Sequence, residues 1–96
     1  MPRQLTISNY ALEQITHAAN WFEEERDGLG GIFVEDLFET MEFIKANPLA
    51  CQIRYKAFRV KFLNRFSFGV HYKVEMESIV VMAVFHTSQS DDNWFT

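Results

Sequence analysis

One cysteine, Cys51, stands among the 96 residues, which excludes an internal disulfide and any zinc site built from cysteines alone. The three histidines, His17, His71 and His86, share no metal-ligand spacing, so no metal and no cofactor is expected. No apolar run approaches the roughly 20 residues of a membrane-spanning helix. The N-terminal stretch MPRQLTISNY has no apolar core of the signal-peptide kind, and a reduced, cytoplasmic setting is the expectation. With two prolines and four glycines, the chain shows no linker, repeat or low-complexity segment.

Hydrophobic residues make up 48% of the chain and aromatics 16%, ten of them Phe, so a packed core is within reach of a short chain. A single domain over residues 1–96 is expected. The formal net charge of −4 argues against a general polyanion binder. That total hides a division. From Glu13 to Glu42, nine acidic residues are opposed by Arg26 alone. From Gln52 to Lys73 there are six basic residues, Arg54, Lys56, Arg59, Lys61, Arg65 and Lys73, and no acidic one. Helices solvate themselves with Glu as a matter of course. Six like charges so close together repel unless a partner uses them.

Hydrophobic periodicity divides the chain the same way. Gln4 to Ile7 is a short extended segment with Leu5 and Ile7 on one face. Ser8 or Asn9 is a helix cap, and a helix follows from about Tyr10 to Arg26 with Ala11, Ile15, Ala18 and Phe22 inward, flanked by Leu12 and Ala19. Asp27-Gly28 and Gly30-Gly31 break it. A second helix runs from about Gly31 to Ala46 on a stripe of Phe33, Leu37, Met41 and Ile44, widened by Val34 and Phe38, and Asn47-Pro48 stops it. The period then changes to two. Phe58, Val60 and Phe62 alternate with polar residues, as do Phe66, Phe68, Val70, Tyr72 and Val74. Ile79 to Phe85 is apolar throughout and reads as a central strand, after a connection at Glu75 to Ser78. The expected fold is α+β: an N-terminal strand and a two-helix antiparallel hairpin packed on a mostly antiparallel four-stranded sheet.

Strand alternation then assigns faces. With Phe58, Val60, Phe62, Phe68, Val70 and Tyr72 toward the helices, Arg59, Lys61, Ser67, His71 and Lys73 share the open side. A symmetric hairpin adds His86 beside Ser67. Arg59, Lys61 and Arg65 are the leading functional candidates, either as charges that protect an edge strand or as a cationic surface for an acidic partner, extended by Arg54, Lys56 and Lys73. His86 suits general acid–base work, but a lone His at a strand end is more often a hydrogen-bonded structural residue. Cys51 is a small hydrophobe, and Trp94 and Phe95 either dock on the sheet or contact a partner.

These residues resemble a known family. Ala19, Trp21-Phe22, Glu23, Gly28-Leu29-Gly30 and Phe33 are similar to one segment of RelE/ParE-type toxins, and Ile44, Asn47-Pro48 and Gln52 to the next. Arg59, Arg65-Phe66, Phe68 and Tyr72 resemble the family hairpin, and Ala83 to His86 with Trp94 its ending. The likeness covers roughly residues 8 to 94 in order, nearer the ParE-like branch. It implies two helices against a curved antiparallel sheet, and the toxin half of a bacterial type II toxin–antitoxin pair. Partners implied are a cognate antitoxin and a protein target such as DNA gyrase, with a ribosome-bound RNA less favoured and a homodimer as a further option. Charge and strand alternation place the expected partner contacts on Arg54, Arg59, Lys61, Arg65, His71 and Lys73, with Trp94 near the C-terminus. Arg59, Lys61 and His86 are the weak catalytic candidates for the alternative, an mRNA endoribonuclease. Gly69, Gln89 and Asp91 stand where the family usually has a basic residue, Arg and Pro. A cleaving site needs several cations converging on one oxygen, so these departures imply a binding toxin or a non-toxic interaction module over a nuclease.

Overall fold

The structure is a computed structural model that describes residues 3–87. Its elements are β1 (Gln4–Ile7), α1 (Asn9–Glu25), α2 (Leu29–Ala46), β2 (Ile53–Tyr55), β3 (Phe58–Phe62), β4 (Phe68–Val74) and β5 (Ser78–His86). The sheet has five strands in the order β1-β5-β4-β3-β2, parallel only between β1 and β5. The α+β class matches expectation, but the count of four strands does not. The extra strand, β2, is three residues long, too short to show a period, and a tight turn with Lys56 at φ 48° returns it to β3.

Helix α1 starts where its cap dictates. The Ser8 hydroxyl accepts from the Ala11 N–H at 3.0 Å and donates to the Met82 carbonyl at 3.1 Å, tying the helix start to β5. The Gln14 side chain accepts from the Val84 N–H at 2.7 Å one turn later. Gly28 takes φ 87°, a left-handed conformation that turns the chain into α2. The N-terminus of α2 has no cap from its own N-cap residue. Glu23 supplies it instead, its carboxylate accepting from Gly28 N–H at 2.9 Å and Gly30 N–H at 3.0 Å. Gly30 therefore lies inside the helix and is no breaker. A Cβ there would stand 2.5 Å from the Ala19 carbonyl oxygen, so glycine permits the close approach of the two helices.

The core joins Ala11 and Ala18 of α1, Phe33, Leu37, Met41 and Ile44 of α2, and Val70, Tyr72, Ile79, Val81 and Val84 of the sheet. Phe22, Phe33, Phe66 and Phe68 form a continuous cluster of ring contacts at centroid distances of 4.8–5.8 Å. Three apolar residues do not take the places expected of them. Leu12, Val34 and Phe38 are 51%, 44% and 63% exposed. In α2 their place inside is taken by Asp36 and Thr40, both buried. The Asp36 carboxylate accepts from the Asn64 and Arg65 N–H groups at 3.2 and 2.7 Å, in the turn between β3 and β4. A buried carboxylate is tolerable because those backbone donors replace its water.

Candidate functional site

The grip of Asp36 on that turn bears on every candidate in β3. Phe62 pairs with Gly69, Lys61 with Val70, Val60 with His71, and Arg59 with Tyr72. Directly paired residues share a face. Val70 and Tyr72 are core residues, so Arg59 and Lys61 lie on the helix side of the sheet, and Phe58, Val60 and Phe62 lie on the open side. The face expected for β3 is thus inverted, while that of β4 holds. A register differing by one residue flips every side chain, and the turn of residues 63–67 sets this one. Gly69 fits it: Phe62 ring atoms come within 3.3 Å of where its Cβ would be.

The expected cationic face is accordingly split. Arg59 donates from Nη1 to the Cys51 carbonyl. Lys61 places Nζ 4.9 Å from the Phe43 ring centroid on α2. Arg54 is on the open side, 5.5 Å from the Phe62 ring centroid. Lys73, also on the open side, is 3.9 Å from Glu75. Arg65 is exposed at the β3–β4 turn, and Lys56 at the β2–β3 turn. His71 is on the open face as expected, but buried, with Nδ1 2.8 Å from the Tyr55 hydroxyl and its ring stacked on Phe85 at 4.3 Å. Tyr55 is a partner that periodicity could not find, because it belongs to the three-residue β2.

His86 departs furthest from expectation. It pairs with Phe68, not with Ser67, and so turns to the helix side, its ring edge-on to Phe68 at 5.3 Å. A shift of register between His71 and Tyr72 accounts for this, since a symmetric hairpin has none. From the His86–Phe68 rung to the Arg59–Tyr72 rung is four residues of β4, roughly 13 Å, with a further strand spacing on either side of β4. Arg59, Lys61 and His86 therefore do not converge as one site would require. Among the described residues no group of His, Cys, Asp and Glu could hold a metal ion. Trp94, Phe95, Gln89 and Asp91 lie outside the described residues.

Among the concave surfaces of the described residues, two border the site candidates His71 and His86. The larger is a cleft of about 490 Å³ between α1 and the end of β5, lined by Gln14, His17, Trp21, Phe22, Phe68 and His86 among others. Trp21 is 53% exposed at its rim. The smaller, about 140 Å³, lies on the open sheet face among Arg54, Tyr55, Phe62, His71 and Phe85, and His86 at the end of β5 borders both. Beneath the sheet, burial pushes the Tyr72 phenol well above its ordinary range, and the Cys51 thiol beside it adds to the shift while Arg59 opposes it. Neutral Tyr72 donates to the Pro48 carbonyl at 3.3 Å. It is a structural anchor for the chain leaving α2.

The family model described as ParE toxin of type II toxin-antitoxin system, parDE, matches residues 5–91. The chain belongs to the ParE toxin family. Among solved structures, it resembles a chain of the chromosomal ParDE TA system from P. aeruginosa, with a TM-score of 0.75 over 88% of this chain and 95% of that one, at 17% identity. At that identity the likeness shows the shared fold. No curated protein sequence matches the chain. No helix among the described residues is long and apolar enough to cross a membrane.

Proposed function

We propose that this ParE-family chain is the toxin of a type II toxin–antitoxin pair, acting in the cytoplasm by binding a protein target of the DNA gyrase kind and neutralised by a cognate antitoxin. Membership of the ParE family over residues 5–91 carries this reading. The dispersal of the cationic candidates supports binding over RNA cleavage. Arg59 is tied to the Cys51 carbonyl, Lys61 covers Phe43, and His86 packs edge-on against Phe68 at the end of β5, between the α1 cleft and the open-face pocket. Stabilising the charge of a cleaving phosphate requires donors preorganised around one oxygen, and these three face different neighbours. Arg54 and Arg65 remain outward and are available to an acidic partner segment. An antitoxin can engage either by adding a strand at an edge of the sheet or by laying a helix on the surface.

Expression of the chain alone in a bacterium is expected to arrest growth, and co-expression of the neighbouring small gene to restore it. Normal growth at a confirmed high level of folded protein counts against an active toxin and favours an interaction module. Purified protein is then expected to inhibit supercoiling by gyrase; growth arrest with supercoiling intact points to a different target.

A further inference from the structure

The outer seam between the two helices carries apolar residues that nothing in the core claims. A three-residue turn joins α1 to α2, and both return to the same core, so they run side by side in opposite directions. Their register is fixed where Gly30 meets Ala19 and Glu23. Moving one turn back along α1 and one turn forward along α2 brings Val34 level with Ile15 to Ala19, and a second turn brings Phe38 level with Leu12. Helical periodicity puts Leu12, Val34 and Phe38 on the same outward side of this seam. All three are exposed, Phe38 most of all at 63%. Gly31 and Thr16, also exposed, keep the seam shallow between them.

The flanks of the seam are acidic on both helices. Glu13 and Glu24 border it on α1, and Glu35 and Glu42 on α2, all exposed. Glu42 has Lys45 at 3.6 Å, whereas Glu13, Glu24 and Glu35 have no ion-pair partner among the described residues. Carboxylates on either side of an apolar strip repel nucleic acid and anionic membranes. A second copy of the chain offers acidic helices of its own, and its cations lie on strands and turns. The complement is an apolar strip with cations on both flanks, which is the surface of a basic amphipathic helix.

We propose that the Leu12–Val34–Phe38 seam is a docking site for a basic amphipathic helix of a protein partner. Such a helix lies along the seam as a third member of the helical layer, Phe38 packing among its apolar residues and its lysines or arginines reaching Glu13 and Glu35. Phe38 is the anchor, a large aromatic at the centre of a charged rim. This site is separate from the α1 cleft and from the cations of the sheet. It does not depend on the chain being toxic.

The test uses a synthetic helical peptide of about 18 residues with a leucine stripe flanked by lysines, and a second peptide with glutamates in place of the lysines. Binding to the full chain is measured by fluorescence anisotropy. The lysine peptide is expected to bind at least about tenfold more tightly than the glutamate peptide, a difference of about 1.4 kcal/mol. Phe38→Asp, and separately the pair Glu13→Lys and Glu35→Lys, are each expected to weaken the lysine peptide about tenfold, while Trp21→Ala in the α1 cleft leaves it unchanged. Thermal melts of each variant establish that it is folded. Equal binding of both peptides, or a lysine peptide indifferent to Phe38→Asp in a folded variant, overturns the proposal. Self-association of the chain that Phe38→Asp abolishes also overturns it, because the occupant is then a second copy.

Discussion

Toward the helices, β1, β5 and β4 present Leu5, Ile79, Val81, Val70 and Tyr72, all drawn into one core. On the same side β3 and β2 present Arg59, Lys61 and Ile53, and no residue of these two strands belongs to that core. The covered half of the sheet holds the fold together, and the overhanging half is surface. Its helix-side charges are engaged within the chain, Arg59 by the Cys51 carbonyl and Lys61 by Phe43, while Arg54 faces the open side. A basic stretch in sequence is therefore not a basic patch in space. The helical layer shows the same division in reverse, acidic in sequence and also acidic on its surface, with Phe38 exposed in its midst.

This contrast can be tested by substitutions on its two sides. The largest effect is expected in the covered half: Phe33→Ala removes a ring at the centre of the aromatic cluster and should cost about 3–5 kcal/mol in denaturant unfolding. Asp36→Ala should cost roughly 2–3 kcal/mol by leaving the Asn64 and Arg65 N–H groups without their acceptor. It should also loosen the β3–β4 turn, seen as faster amide exchange at those two positions. Should Asp36→Ala leave both stability and exchange unchanged, the turn is not what fixes the face of β3.

Tyr72 gives a smaller and pH-dependent effect. Its pKa is raised on folding, so the unfolded chain loses the phenolic proton first as pH rises past about 10. The folded state then binds more protons than the unfolded one, and stability falls with rising pH. The contribution is fully present below pH 10 and is lost above it. Tyr72→Phe should cost about 1 kcal/mol at neutral pH through the Pro48 hydrogen bond and should flatten the alkaline fall. An unaltered alkaline limb in that variant would assign the fall to other groups. Smallest of all is Phe38→Ala, within about 0.5 kcal/mol, because the ring is exposed. A cost comparable to Phe33→Ala would mean that the seam is already covered.

Much of this architecture is legible in the residues. Both helices follow from the spacing of Ala11, Ala18, Phe33, Leu37 and Ile44, and Ser8 and Asn47-Pro48 mark two of their ends. The alternation of β4 places Val70 and Tyr72 inward and His71 outward. The site is less legible, for a physical reason. Phe58, Val60 and Phe62 alternate as well as β4 does, but alternation fixes which residues share a face, not which face that is. A contact from a distant element decides it, here the Asp36 carboxylate on the turn of residues 63–67. Asp36 itself stands among eight other acidic residues from Glu13 to Glu42, with nothing local to mark it as buried. The same long-range choice turned Arg59 and Lys61 toward the helices, and the β4–β5 register shift paired His86 with Phe68.

Incubation of the purified chain with ribosomes translating a defined message, followed by mapping of the transcript ends, tests most directly whether this fold binds or cuts. With Arg59, Lys61 and His86 facing different neighbours, the transcript is expected to remain intact at chain concentrations that arrest growth. New ends at codons in the ribosomal A site, lost when Arg59, Lys61 and His86 are all replaced by alanine in a folded variant, would contradict the account.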